Sequence, residues 1–387
     1  MKILYTTGDK LWLAENGSAR EIPCKRVQQY RDTIQSIHDS KLWKTTGTGA
    51  HFTGAAEDPE MEEISAHFCG IAPHGTEFLY TLQLDASGGM YRRELTAEAV
   101  YDGHIVSGND VRLGAIAAHG DDVAACIRYP DGRSHIGLYH LPQSRCNEIT
   151  EGDSAESSPS WSPDGRKLYF STSGIGRRGA AIAHAPAGVA VYDTQTRQMD
   201  MLLEDERYDY LSPQVNAAGD MFVIRQPYVP EGNAPVSIGQ VLLDVLLFPV
   251  RIVKAIGGWL NIMSMLYGGE PLRSDSPQMH EKSKQKSQKD LFFEGNLIRA
   301  KKNLKENSRS GEDFPGILPR SRVLLCKKVD GSEEVLAKAV LDYTLTAEGI
   351  VFSNGAHVLL RCPDGKVEKI ANAELASKIV AFPDTDA

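Results

Sequence analysis

Few residues of this chain could do chemistry by their type and spacing. His74 and His119 each stand directly before a glycine, Gly75 and Gly120, and lie 45 residues apart. Another 45 residues on, Asp164 precedes Gly165 in the same way. Two imidazoles and a carboxylate are ordinary ligands for a transition metal, provided they converge at about 2 Å per bond. A fixed period instead places them in equivalent turns of successive repeats, spread round a ring and too far apart to share an ion. No HxH or HExxH spacing occurs, so neither a metal nor another cofactor is expected.

Nucleophiles are no better organised. The chain has no GxSxG elbow, no Walker loop and no dinucleotide-binding glycine pattern. "TTGTGAHFTG" at 45–54 is rich in Gly and Thr but lacks a strand-to-helix context, and it reads as a loop. Cys24, Cys69, Cys126, Cys146, Cys326 and Cys362 are far apart, mostly within apolar runs, as buried reduced thiols are. No catalytic residue is assigned.

The elements behind these residues are more informative. Around Gly75, Gly120 and Gly165, an apolar residue stands four positions before the glycine and an apolar run begins three after it. "LSPQVNAAGDMFVI" repeats the pattern around Gly219, with Pro213 matching Pro159, and "YTLTAEGIVFSNG" repeats it around Gly349. A second hairpin follows each anchor, as in "GVAVYDTQTRQMDMLLED" after Gly165. Each unit of about 45 residues therefore reads as four short strands joined by Gly, Asp, Asn or Pro turns, which suits a propeller blade. "SKIVAFPDTDA" at the C-terminus supplies a first strand, and "KILYTT", "KLWLAEN" and "REIPC" supply the other three. One blade stitched from both ends leaves no free sheet edge.

Pro159, Trp161-Ser162-Pro163-Asp164-Gly165 and Leu168-Tyr169-Phe170 resemble the TolB-type, WD40-like repeat "PxWSPDGxxIxF". The resemblance implies an all-β, six-bladed β-propeller, and the residues themselves suggest closure by the N- and C-terminal strands in one blade and a helical insertion in another. It does not imply a function. The expected organisation is 1–23 plus 376–387 as the closing blade, 24–62 as a linker or helical insertion, and 63–228 as blades. A helical and Lys-rich insertion follows over 229–320, then further blades over 321–375. Gly75, Gly120, Trp161, Asp164, Gly165, Gly219 and Gly349 are read as structural turn residues, with Trp161 wedged between neighbouring blades.

Function is sought where the chain departs from the repeat. The segments 24–62, 173–188 and 229–320 fall in connections from a fourth strand to the next first strand, or from a second strand to a third. All three should emerge on one face. Residues 25–44 form a candidate amphipathic helix with Val27, Tyr30, Ile34, Ile37 and Trp43 near one side. Residues 236–268 are largely apolar, with a narrow polar stripe of Gln240, Asp244, Arg251, Lys254, Gly258 and Asn261 and a kink at Pro249. Three charges and a proline argue against a simple membrane span. Leu242, Leu246, Phe248, Arg251, Ile252, Lys254, Trp259 and Met263 are the candidate partner- or membrane-binding residues. Alternatively, this helix packs on its own propeller or on a second copy of the chain.

Charge is unevenly shared. Residues 236–309 hold 12 Lys and Arg against 7 Asp and Glu, in a chain whose net charge is −9. An acidic chain argues against general nucleic-acid binding, whereas a basic segment beside an apolar helix suits an anionic membrane surface. The N-terminus alternates like a strand and lacks a secretory apolar core, so a cytoplasmic location is expected, with peripheral attachment at the inner membrane face as an option. The expectation is a non-enzymatic adaptor or scaffold working through 236–309. The alternative is a propeller enzyme, a lyase or hydrolase, with its site at the central channel.

Overall fold

Alternating apolar residues between tight turns give strands with two usable faces, and in this protein both faces are buried. The computed structural model describes residues 1–15, 17–42, 66–85, 87–95, 102–143, 145–178, 181–230, 291–293, 296–298 and 300–382. Two compact units result, Met1–Tyr228 with Ile298–Ala387, and Val229–Leu297. Near the end of the second, Leu291–Phe293 pairs with Asn296–Ile298.

The larger unit is a set of four-stranded antiparallel runs. The closing run is ordered Ala376–Phe382, Lys2–Thr7, Lys10–Glu15, Ser18–Ile22, so the two chain ends share one sheet. Its terminal strands pair from Lys2 with Phe382 to Thr7 with Ala376. The second run holds Ala66–His74, Glu77–Leu84, Gly88–Glu94 and Gly103–Gly108. The third holds Leu113–His119, Asp122–Arg128, Ser134–His140 and Arg145–Glu148, and the fourth Ser154–Trp161, Lys167–Arg178, Gly188–Asp193 and Gln198–Leu203. A single parallel pair, Ser134 with Ala155, fuses these two into one larger sheet. The fifth run is Tyr208–Val215, Met221–Pro227, Val323–Lys327 and Glu333–Lys338. Its second and third strands pair from Met221 with Lys327 to Arg225 with Val323, although the intervening chain includes the whole smaller unit. Asp342–Thr346, Gly349–Ser353, His357–Arg361 and Val367–Asn372 make the sixth.

Neighbouring runs are joined by separate apolar layers, and the two-residue period of a strand sorts side chains between them. Leu4 packs with Phe78 and Tyr80 of the second run, while Ile3 and Tyr5 pack with Val351 and Val358 of the sixth. Val123 and Ala125 meet Leu79 and Met90 on one side, and Ala124 and Cys126 meet Phe170 on the other. Val189 packs with Val223, and Phe222 and Ile224 pack with Tyr343 and Phe352. Sheets stacked side by side through both faces are the arrangement of a β-propeller.

Two described helices decorate this unit. Helix α1 (Lys25–Leu42) links the closing run to the second. Helix α2 (Ala300–Arg309) leads back into the fifth. Among the described residues no helix is long and apolar enough to cross a membrane.

Candidate functional site

The turns between first and second strands gather on one face. Gly75, Gly120, Gly165, Gly219 and Gly349 all occupy them with positive φ, from +56° to +143°. Asp164 is tied into its own turn, accepting hydrogen bonds from the Ser162 hydroxyl at 2.5 Å and from the Arg166 N–H at 3.2 Å. These bonds hold its carboxyl below the usual range. The Trp161 indole N–H reaches the third run and donates to the Ala117 carbonyl at 3.1 Å.

Successive turns touch through their side chains. The His119 ring lies against Gly165, where a β-carbon would strike it, and is 6.2 Å from the Trp161 ring. His74 Nε2 is 3.8 Å from Asp121 in the next turn, and His74 Nδ1 is 4.0 Å from Glu77. The first strands crowd together, so one imidazole spans the gap between successive turns. Even so, among the described residues no three His, Cys, Asp or Glu side chains converge as metal ligands would.

First strands of every run line a central cavity of about 320 Å³. Register shifts between Ser157 and Ser160, and between Leu211 and Gln214, bend two of these strands at their Ser-Pro steps. Ser158 and Ser212 both adopt φ of 51°, and their hydroxyls are 3.4 Å apart. Tyr343, almost fully buried, shares its one hydroxyl proton between the carbonyls of Ser212 and Phe222, each at 2.7 Å. Gln214 donates to the Tyr343 carbonyl at 2.9 Å and accepts from the Leu345 N–H at 3.2 Å. The lining includes His119, Asp342 and Lys378, with Gln214, Thr344 and several serines beside apolar residues.

The opposite face, built from second-to-third-strand connections, is the elaborated one. Helix α1 rests on two of them, with Arg31 paired to Asp9 and the Tyr30 hydroxyl bonded to Asp85. Its first turn is anchored more deeply. Val27 joins the core shared by the closing and second runs, and the Arg26 guanidinium lies 4.1 Å over the Tyr91 ring. Arg93 donates to the Pro23 carbonyl at 2.6 Å and pairs with Asp102 at 3.6 Å, both almost fully buried. Burial raises the Asp102 carboxyl, and the Arg93 charge opposes that shift. Ile37, toward the far end of α1, is 43% exposed.

In the fourth run the second strand continues past the sheet, so that Ile175–Arg178 pairs with Ala181–His184 as a projecting hairpin. The Tyr228 hydroxyl donates to the His184 carbonyl at 2.5 Å and the Tyr228 N–H to Arg207 at 2.9 Å, just where the chain leaves for the smaller unit. The returning chain is clamped at the sixth run. Asn307 on α2 donates to the carbonyls of Gly316 and Leu318 at 2.6 and 3.0 Å. The Ile317 N–H donates to Asn354 at 3.1 Å, and the Asn354 amide donates to Phe314 at 2.8 Å.

Of the candidate binding residues, Leu242, Leu246, Phe248, Arg251, Ile252, Lys254, Trp259 and Met263 lie outside the described residues, as does Trp43. The Asn307–Asn354 clamp, the Ser158–Ser212 contact and the Arg93–Asp102 pair have no counterpart in the sequence reading. The Ser158–Ser212 contact joins different repeats and the Asn307–Asn354 clamp joins an insertion to a repeat, so no spacing rule could reveal either.

No protein-family profile matches the chain, and no curated protein matches it. Solved structures do. TolB from Acinetobacter baumannii is 11% identical over 96% of this chain, with a TM-score of 0.46, and this chain spans 64% of its length. A structure assigned as TolB from Agrobacterium tumefaciens is 13% identical over 82% of this chain and 90% of its own, with a TM-score of 0.40. Oligogalacturonate lyase from Vibrio parahaemolyticus is 10% identical over 58% of this chain and 59% of its own, with a TM-score of 0.35. These solved structures are what the chain is similar to, at identities of 10–13%.

Proposed function

We propose that the chain is a six-bladed β-propeller, closed by its terminal strands, that works as an interaction scaffold for a protein partner. The face built from second-to-third-strand connections is its docking surface. One observation carries this reading. Helix α1, the 175–184 hairpin, the departure of the chain at Tyr228 and the clamp at Asn354 all belong to that face, whereas the opposite one carries tight turns. Insertions displayed together on a rigid ring give a partner a broad, preorganised surface, which lowers the ordering cost of binding. The closed ring is supported by the apolar layer between the sixth run and the run made from both chain ends.

The test is quantitative affinity capture with three proteins: the full chain, a chain with 231–297 replaced by a Gly-Ser linker, and Asp164→Ala on the tight-turn face. The scaffold reading expects the deletion variant to melt cooperatively but lose specific partners, and Asp164→Ala to keep them. Retention of every partner by the folded deletion variant, together with loss in Asp164→Ala, would reverse the assignment of faces.

A further inference from the structure

A second cavity, of about 480 Å³, lies between the closing run and the sixth run. One wall is aromatic. The Tyr5 and Trp12 rings are stacked with 6.4 Å between centroids and 8° between planes, and the Trp12 indole N–H donates to the Thr7 hydroxyl at 2.9 Å. Gly17, Ala19, Ala371 and Ala373 supply small residues around it. Tyr5 is 1% exposed, yet its hydroxyl takes part in no hydrogen bond with the described residues. Burial pushes that hydroxyl up to about 12, so it stays protonated at neutral pH and can donate. A nearly buried phenol without a hydrogen-bond partner among the described residues, lining a cavity, offers its oxygen to an external N–H.

The charges nearby set a preference. Glu374 lines the cavity, is exposed and forms no ion pair with the described residues. Lys369 also lines the cavity, and the Lys10 ammonium lies 6.0 Å over the Trp12 ring. Lys10 pairs with Glu21 at 2.9 Å, and the Lys369 ammonium sits 6.0 Å over the Phe314 ring. A flat ring can cover an aromatic wall, and a cationic group beside it would answer the carboxylate. The volume falls in the usual range for small-molecule sites.

We propose that this inter-blade cleft binds a planar aromatic amine, with its ring against Trp12, an N–H toward the Tyr5 hydroxyl and its ammonium toward Glu374. Tyr5 and Glu374 act as specificity residues.

Tryptamine is the probe and indole-3-acetate its charge-reversed control, both followed by saturation-transfer NMR and calorimetry on the full chain. Tryptamine should saturate the site below about 1 mM and bind at least tenfold more tightly than indole-3-acetate, a gap of about 1.4 kcal/mol. Tyr5→Phe, which keeps the ring, should weaken binding about fivefold. Ala19→Phe fills the cleft from an exposed position and should abolish binding with the melting temperature held, while Glu374→Gln should remove the preference for the amine. The proposal is overturned if tryptamine shows no saturable binding up to about 10 mM, the weak limit of specific recognition. Equal affinity for indole-3-acetate, or undiminished binding in a folded Ala19→Phe variant, overturns it equally.

Discussion

The His119 imidazole occupies the space that a side chain at position 165 would need. The turn glycine of the fourth run is thus required twice, by its own φ of +67° and by a ring from the preceding run. Gly165→Ala should destabilise the protein by about 2–4 kcal/mol, combining a left-handed backbone with overpacking. His119→Ala in the same chain should recover about 1–3 kcal/mol of that loss. Urea denaturation of the two single variants and the double variant measures the coupling, and strict additivity would show that the contact carries no energy.

Trp161 bridges the same pair of runs from a different direction. Trp161→Phe keeps most of the apolar contact but leaves the Ala117 carbonyl without its donor, at a cost of about 1–2 kcal/mol. Trp161→Ala also removes the ring and should cost about 3–5 kcal/mol. Equal losses for the two variants in chemical denaturation would assign the whole effect to the hydrogen bond.

Glu156, on the first strand of the fourth run, is buried with its Oε2 unsatisfied. Burial lifts its carboxyl above the usual range, against hydrogen bonds from Ser154 and Thr172 and the nearby His135. The folded chain therefore holds this proton more tightly than the unfolded chain. The resulting stabilisation is complete below the ordinary glutamate range and is lost as pH rises through the raised folded value. Glu156→Gln, fixed in the neutral form, should melt like the parent near pH 4 and higher than the parent at pH 8. Paired thermal melts across that interval check the sign, and a variant that melts lower at pH 8 contradicts it.

Asn307 holds the 310–320 segment to α2 through two carbonyls and is 1% exposed. Asn307→Ala strands those carbonyls and should cost about 2–4 kcal/mol. Asn307→Asp should be worse at neutral pH, because a carboxylate cannot donate to them. Limited proteolysis should cut within 310–320 in both variants before the strands are attacked.

Turn register was readable from residue order alone because it is local. A positive-φ glycine, a Ser-Pro-Asp start and an alternating apolar run act within about ten residues, and the 45-residue spacing of Gly75, Gly120 and Gly165 repeats them. The pairing of Lys2–Thr7 with Ala376–Phe382 was also inferable, since each terminal segment lacked strands that the other could supply. The contacts between repeats were not. His119 meets Gly165, the Ile317 N–H reaches the Asn354 carbonyl, and Tyr5 and Ala371 line one cleft whose walls come from opposite ends of the chain. Residue order by itself determined strands, turns and their repetition, because backbone preference and two-residue alternation are properties of neighbours in the chain. Tertiary structure alone decided which turns touch and which side chains of different runs meet, because those depend on how closely the runs pack.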